Sequence, residues 1–350
     1  MDLDKLPSAR RVVLGLLLAL SILLALELLA IVVFDESAEE RLSFGYGENT
    51  GFLVDRDSVE LHRAAGRTLW AQKFPLKKPD GTKRIVVVGD SVLRGGSEAG
   101  SLSGKLRERL AACGVTAEVW NLSSPGYGSR RKEMVVRKAL EFKPDLVIYH
   151  VNYTTEYEDE REWQRKLAHA SMHPSLWPEK LPLIGRIKLS KTEKVLWKWL
   201  PAEVRNTRDT QAEPEKADPD AEREAIQSKQ DAAYWIPRML GQLQESVAMI
   251  RHADVPVLLL SRADLSLDRA SLSDAGLDQK LEPFSNDKKI RVLSTREVFG
   301  RFPSFQNLFI DRSHWIPAGH AVMAEAMMPA IADLLDLHLQ LGNCGAQGAA

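Results

Sequence analysis

Hydrophobic positions fall into three regimes along the chain. From Val12 to Phe34 they form an almost unbroken run, interrupted by Gly15, Ser21 and Glu27. From Arg84 onward they come as short β-branched runs that alternate with stretches of helical spacing. Between 156 and 230 they thin out, and charged residues and prolines take over.

The first regime has the length of roughly 20 apolar residues that a bilayer-crossing helix needs. A cleaved signal peptide would have an apolar core of about 7–15 residues ending at a small-residue site. This run is longer and ends in Ile31-Val-Val-Phe34, so it reads as an uncleaved signal anchor over 12–34. Arg10 and Arg11 precede it, and Asp35, Glu36, Glu39 and Glu40 follow it. The positive-inside rule then keeps 1–11 in the cytoplasm and sends the body outside, to the periplasm or the extracellular space. Glu27 inside the span costs about 3 kcal/mol at mid-helix. It reads either as a contact with a partner helix in the membrane or as a tolerated acid towards the outer half.

The second regime predicts a strand over Arg84–Val88, a helix over Lys105–Cys113 stopped by Gly114, and a strand over Ala117–Leu122. A helix from Ser129 to about Phe142 and a strand over Leu146–Val151 follow. After the third regime the pattern resumes with a helix through Trp235, Met239, Leu243, Val247 and Ile250, then a strand over Val255–Leu260 and a short strand over Ile290–Leu293. An amphipathic helix closes the chain to about Leu339. Strand–helix alternation of this kind implies right-handed crossovers and parallel strands. The expected fold is therefore α/β: a doubly wound, flavodoxin-like three-layer sandwich with about five parallel strands, preceded by one transmembrane helix. The main body spans 81–341, interrupted by a helical and flexible insert at 156–230. A linker or approach segment with some structure that packs on the body occupies 35–80, and 342–350 is a small, polar, disordered tail. The insert's Trp163, Trp177, Trp197 and Trp199 suit either a lid beside the site or docking onto the body or membrane surface.

Composition narrows the function. An apolar fraction of 44% supports a substantial core, and a net charge of -1 argues against nucleic-acid binding. The two cysteines, Cys113 and Cys344, lack metal-ligand spacing. One bridge between them is open in an oxidising compartment, but two unrelated thiols is the favoured reading. No metal cluster, phosphate loop or dinucleotide fingerprint is present, so neither a cofactor nor a metal is expected.

The chemistry gathers at strand ends. The run Ile85-Val-Val-Val-Gly-Asp-Ser91 carries a serine to the C-terminal end of a buried strand, where α/β sheets hold their ligands. Asp311 and His314 stand in the loop before the last helix and can face each other if that loop curls. A carboxylate that orients a histidine, with the histidine taking a proton from serine, is the logic of a serine nucleophile. The Gly-x-Ser-x-Gly elbow is absent, since position 93 is leucine. Asp90 reads as a turn-stabilising carboxylate, and His320 as a packing or capping residue. His150 reads as structural or as a substrate contact. Arg94 reads either as a contact for an anionic or sugar substrate or as a solvated arginine.

These blocks resemble the SGNH (GDSL-type) hydrolase family, in the manner of a membrane-anchored bacterial-type member. Gly89-Asp90-Ser91-Val92 matches its first block, Asn121-Leu-Ser-Ser-Pro-Gly126 its second, and Asp311-x-x-His314 with Gly319-His320 its fifth. The likeness covers about residues 80–340, apart from the insert. It implies Ser91 as nucleophile, His314 as general base and then acid, and Asp311 as its orienter. It also implies an oxyanion hole from the Ser91 and Gly126 N–H groups. The third block departs from the family pattern: His150-Val-Asn-Tyr-Thr-Thr-Glu156 stands where a Gly-x-Asn-Asp-like loop belongs. The third donor is then a shifted Asn152 or the Thr154 hydroxyl, unless the hole relies on backbone alone. The expected activity is an extracytoplasmic serine esterase acting on a small-molecule, O-acylated glycan or lipid ester through an acyl-enzyme on Ser91. Acyl transfer to an envelope polysaccharide and a non-catalytic binding module of the same fold are the alternatives.

Overall fold

The computed structural model describes residues 8–33, 46, 51–64, 67–172, 231–338 and 344. The chain divides into two compact units, 1–44 with 165–217 and 45–164 with 218–350. In the first unit α1 (Ser8–Val33) is a single helix of 26 residues. Its side chains are described over 12–22 and at Leu24 and Ala25, where they are exposed. Among the described residues no helix is long and apolar enough to cross a membrane. The transmembrane reading of 12–34 therefore rests on the sequence run and not on the fold.

The second unit is built on a five-stranded, all-parallel sheet. Its strands are β4 (Lys83–Val88), β5 (Ala117–Asn121), β6 (Leu146–Val151), β7 (Val257–Ser261) and β8 (Ile290–Ser294), in the order β8-β7-β6-β4-β5. Counted along the chain that is 2-1-3-4-5, the flavodoxin-like order. The central strands are apolar on both faces because helices cover both. Alternate residues divide between two cores. Val86, Val88, Val147, Tyr149, Val257 and Leu259 pack on one side with α4 (Ser129–Leu140) and α6 (Ala232–His252). Ile85, Val87, Leu146, Ile148, Leu258 and Leu260 pack on the other with α3 (Leu102–Ala112) and α7 (Pro317–Leu334). All five strands and these four helices lie where the sequence pattern puts them, within a few residues at each end.

Three features extend or correct the expectation. The structure expected in the approach segment is an antiparallel meander of β1 (Phe52–Val54), β2 (Ser58–Ala64) and β3 (Arg67–Pro75). Val59, Leu61 and Leu69 drive its inner face into the first core. The cysteines are not unrelated thiols: Cys113, at the C-cap of α3, is disulfide-bonded to Cys344. The bridge ties the segment after the last helix to α3 and buries Cys344. The insert opens as a regular helix, α5 (Glu156–Met172). Its remainder, 173–230, lies outside the described residues with Trp177, Trp197 and Trp199, as does the tail apart from Cys344.

Candidate active site

Strand β4 ends in Gly89-Asp90 and the chain turns directly into α2 (Ser91–Arg94). Asp90 is the N-cap: its Oδ1 accepts the Val92 N–H at 2.9 Å, so the turn after the strand becomes a helix start with Ser91 in its first position. Gly89 is needed for close approach, since a Cβ there would meet Leu93 Cγ at 3.0 Å. From the other end, β3 reaches α2 through Trp70, whose indole N–H donates to the Arg94 carbonyl at 2.8 Å. The Arg94 guanidinium lies 3.8 Å above the same indole ring. Arg94 is thus stacked on an aromatic face rather than freely solvated, and burial lowers its pKa.

The loop carrying Asp311 and His314 does curl. Phe309 and Trp315 pair across an isolated β-bridge, and the Ile310 N–H donates to the His314 carbonyl at 2.8 Å. Both aromatic rings are buried, so the loop closes on a hydrophobic clasp. Within it Asp311 Oδ1 accepts the N–H groups of Ser313 and His314, each at 2.8 Å, and Asp311 Oδ2 lies 2.7 Å from His314 Nδ1. Burial works against the Asp311 carboxylate, but these donors outweigh it and hold the group below its ordinary range. His314 Nε2 then faces Ser91 Oγ at 2.8 Å. The three residues that sequence reading singles out are therefore assembled as a serine–histidine–aspartate relay in hydrogen-bonding contact.

The second block forms a tight turn in which the Tyr127 N–H donates to the Ser124 carbonyl at 3.2 Å. Pro125 and Gly126 occupy its centre, and Gly126 has φ +71, as a type II turn requires. Arg131 clamps the Gly126 carbonyl from the start of α4 and pairs with Asp159 (2.5 Å) and Glu162 of α5. In the third block, Asn152 Nδ2 donates to Asp90 Oδ2 at 2.5 Å. An amide has two protons, and among the described residues the second has no acceptor. The Thr154 hydroxyl donates its only proton inward, to Asn152 Oδ1 at 3.0 Å, and its N–H donates to the same oxygen at 2.9 Å. Of the two candidate donors, Asn152 alone keeps a side-chain proton for an oxyanion.

Behind Ser91 lies a buried polar network that sequence reading did not anticipate. Asp90 is surrounded by Asn152, by His150 Nδ1 at 3.1 Å and by Lys132 Nζ at 3.7 Å. Burial opposes its charge, but His150, Lys132 and Arg262 more than offset that, and its pKa falls well below the ordinary carboxylate range. His150 moves down as well, because burial, Lys132 and Arg262 outweigh Asp90. A neutral ring donating from Nδ1 to an ionised Asp90 satisfies both directions. His150 is thus a structural partner of the turn that carries Ser91. His320 is buried beneath Trp315, and burial, with His314 and Lys105, pushes it down to about 3. Its burial against Trp315 fits the packing reading. Among the described residues no group of histidine, cysteine and acidic side chains could hold a metal ion.

No protein-family profile and no curated protein matches the chain. Among solved structures, the chain is similar to an acetyl xylan esterase, AlAXEase, at 15% identity over 71% of this chain and 99% of that one, with a TM-score of 0.39. It is similar to a GDSL-like lipase from Bacteroides thetaiotaomicron at 11% identity over 71% and 87% of the two chains, with a TM-score of 0.37. The SGNH-hydrolase family esterase AlinE4 aligns at 16% identity over 74% and 99%, with a TM-score of 0.34.

Proposed function

We propose that this chain is a serine esterase that cleaves acyl esters through an acyl-enzyme on Ser91. The observation that carries the reading is the relay from Ser91 Oγ to His314 Nε2 at 2.8 Å and from His314 Nδ1 to Asp311 at 2.7 Å. His314 takes the Ser91 proton as the hydroxyl oxygen attacks the ester carbonyl. Asp311 holds the Nδ1–H tautomer and balances the imidazolium that forms. The N–H groups of Ser91 and Gly126 and the second proton of Asn152 would receive the oxyanion. His314 then protonates the departing alcohol, and a water activated by the same ring releases the acid.

The reading extends to location and substrate class. Arg10 and Arg11 before the apolar run, with acids after it, favour an anchored body outside the cytoplasm. The Cys113–Cys344 disulfide supports an oxidising compartment. An ester of the cell envelope, an O-acylated glycan or a lipid, suits an enzyme held there. The test uses the full chain in detergent with a fluorophosphonate probe and p-nitrophenyl acetate. Labelling of the wild type and turnover that are both lost in Ser91→Ala support the reading. Equal turnover by wild type and Ser91→Ala would sink it. Acyl transfer is scored in the same assay by adding oligosaccharide and looking for its acylated form.

A further inference from the structure

We propose that Arg262 is a positioning residue that sets the separation of Ser91 and His314 by closing a ring of hydrogen bonds between their loops. The proposal rests on the esterase reading of the site.

Arg262 follows β7 directly and is buried, with 9% of its surface exposed. A guanidinium has five N–H protons in a fixed planar fork. Nε donates to Asp264 at 2.9 Å, and Nη2 lies 2.8 Å from Asp264 Oδ1 in the same ion pair. Nη1 donates to Asn152 Oδ1 at 2.8 Å and also to the Thr154 hydroxyl. Nη2 donates to Ser313 Oγ at 2.8 Å. All three nitrogens are thus turned onto groups of the protein.

What it joins gives it a role. Ser313 belongs to the Asp311 turn and precedes His314. Asn152 bonds Asp90, and Asp90 caps the helix that begins with Ser91. The path from His314 through Ser313, Arg262, Asn152 and Asp90 returns to Ser91, where the 2.8 Å Ser91–His314 contact completes it. The two reacting side chains are 223 residues apart in sequence. Ser91 follows the end of β4, His314 lies in the loop before the last helix, and Arg262 is the charged fork that spans the gap. A lysine could hold one side of that gap but not both, because its single nitrogen lacks the fork.

The variants Arg262→Lys and Ser313→Ala test this. We expect kcat on p-nitrophenyl acetate to fall about ten- to hundredfold in each, with KM essentially unchanged, as for an arrangement needed only in the transition state. The double variant should be no slower than Arg262→Lys, because both changes cut one path. Wild-type kcat in Arg262→Lys would overturn the proposal, since charge alone would then suffice. So would wild-type kcat in Ser313→Ala, a half-buried site that loses a single bond and serves as the deciding variant if Arg262→Lys does not fold. Crystal structures of the variants separate this inference from the esterase reading. If the wild type proves inert to ester and probe, the esterase reading fails. A Ser91–His314 distance that opens in Ser313→Ala still supports the ring, and one that stays at its wild-type value rejects it.

Discussion

Asp90 Oδ2 and Asn152 Nδ2 lie 2.5 Å apart, at the ends of two adjacent parallel strands. One carboxylate thereby caps the helix that begins with Ser91 and fixes the side chain of the third block. The amide of Asn152 is oriented by a group that is itself adjacent to Ser91, so Ser91 and the candidate oxyanion donor share one support. Thr154, two residues further on, is turned the other way, with its hydroxyl proton on Asn152 and its oxygen under Arg262.

That geometry separates two substitutions. Asn152→Ala should lower kcat by about 10²–10³, the usual cost of one oxyanion donor. It should also destabilise the fold by about 1–3 kcal/mol, because Asp90 loses a buried donor. Thr154→Val should change kcat by less than about tenfold, since its proton faces away from the site. Rates on p-nitrophenyl acetate and urea unfolding measure both. A larger kcat loss in Thr154→Val than in Asn152→Ala would reverse the assignment of the third donor.

Arg131 offers a stability prediction. Its side chain is fully buried, and burial lowers its pKa while Asp159 and Glu162 raise it, with a net rise. Replacing it by methionine leaves Asp159 buried with only the Tyr46 hydroxyl and neighbouring N–H groups as donors. Breaking one side of such a pair costs about 3–5 kcal/mol. Arg131→Met should therefore unfold at markedly lower urea, and its surviving folded fraction should be slower because the Gly126 carbonyl is released. A midpoint within error of wild type would show that the pair contributes nothing net.

The parts of this architecture that could be read from sequence are those governed by local rules. Five apolar runs bounded by turns became five parallel strands, because burial on both faces leaves a continuous apolar signature. Ser91, Asp311 and His314 were legible because each ends or precedes an element within a short motif. The meander was missed although Val59 and Leu61 alternate with Ser58 and Glu60, since glycines and charges on either side mask so short a period. Arg262 carries no signal of its own: a lone arginine after a strand becomes meaningful only when Asn152 and Ser313 arrive from elsewhere in the chain. The Cys113–Cys344 bridge spans 231 residues, a distance over which spacing says nothing.

The bridge should matter for stability. Closing so long a segment restricts the unfolded chain, and native bridges typically contribute about 2–4 kcal/mol. Cys344→Ser should lower the thermal midpoint by several degrees, and a reducing agent should do the same to wild type but leave Cys344→Ser unaffected. Because the bridge joins the C-terminal end of α3 to the segment beyond α7, kcat at 25 °C should stay near the wild-type value. An unchanged midpoint in reducing buffer would show that the link is not formed in solution.

The last prediction concerns pH and Glu156. Burial, reinforced by Asp159, raises its pKa to about 7, against which Ser129 and Lys132 pull only partly. The local bonding agrees with a protonated acid. Ser129 Oγ lies 2.6 Å from Glu156 Oε2 and 2.8 Å from Gln242 Oε1, and a hydroxyl has only one proton for two acceptors. A proton on Glu156 Oε2 donates to Ser129, and Ser129 then donates to Gln242. In the unfolded chain Glu156 titrates near 4.5, so between about 4.5 and 7 the folded state binds more protons than the unfolded one. Its contribution to stability is present below the unfolded value and declines as pH rises towards 7, by at most about 1.4 kcal/mol per pH unit. Glu156→Gln keeps an amide donor for Ser129 and cannot ionise. Urea unfolding between pH 5 and 8 should therefore show a decline in the wild type that is flattened in Glu156→Gln, with the variant the more stable of the two at pH 8. Parallel curves for the two proteins would show that Glu156 is ionised throughout and that the extra proton lies elsewhere in the cluster.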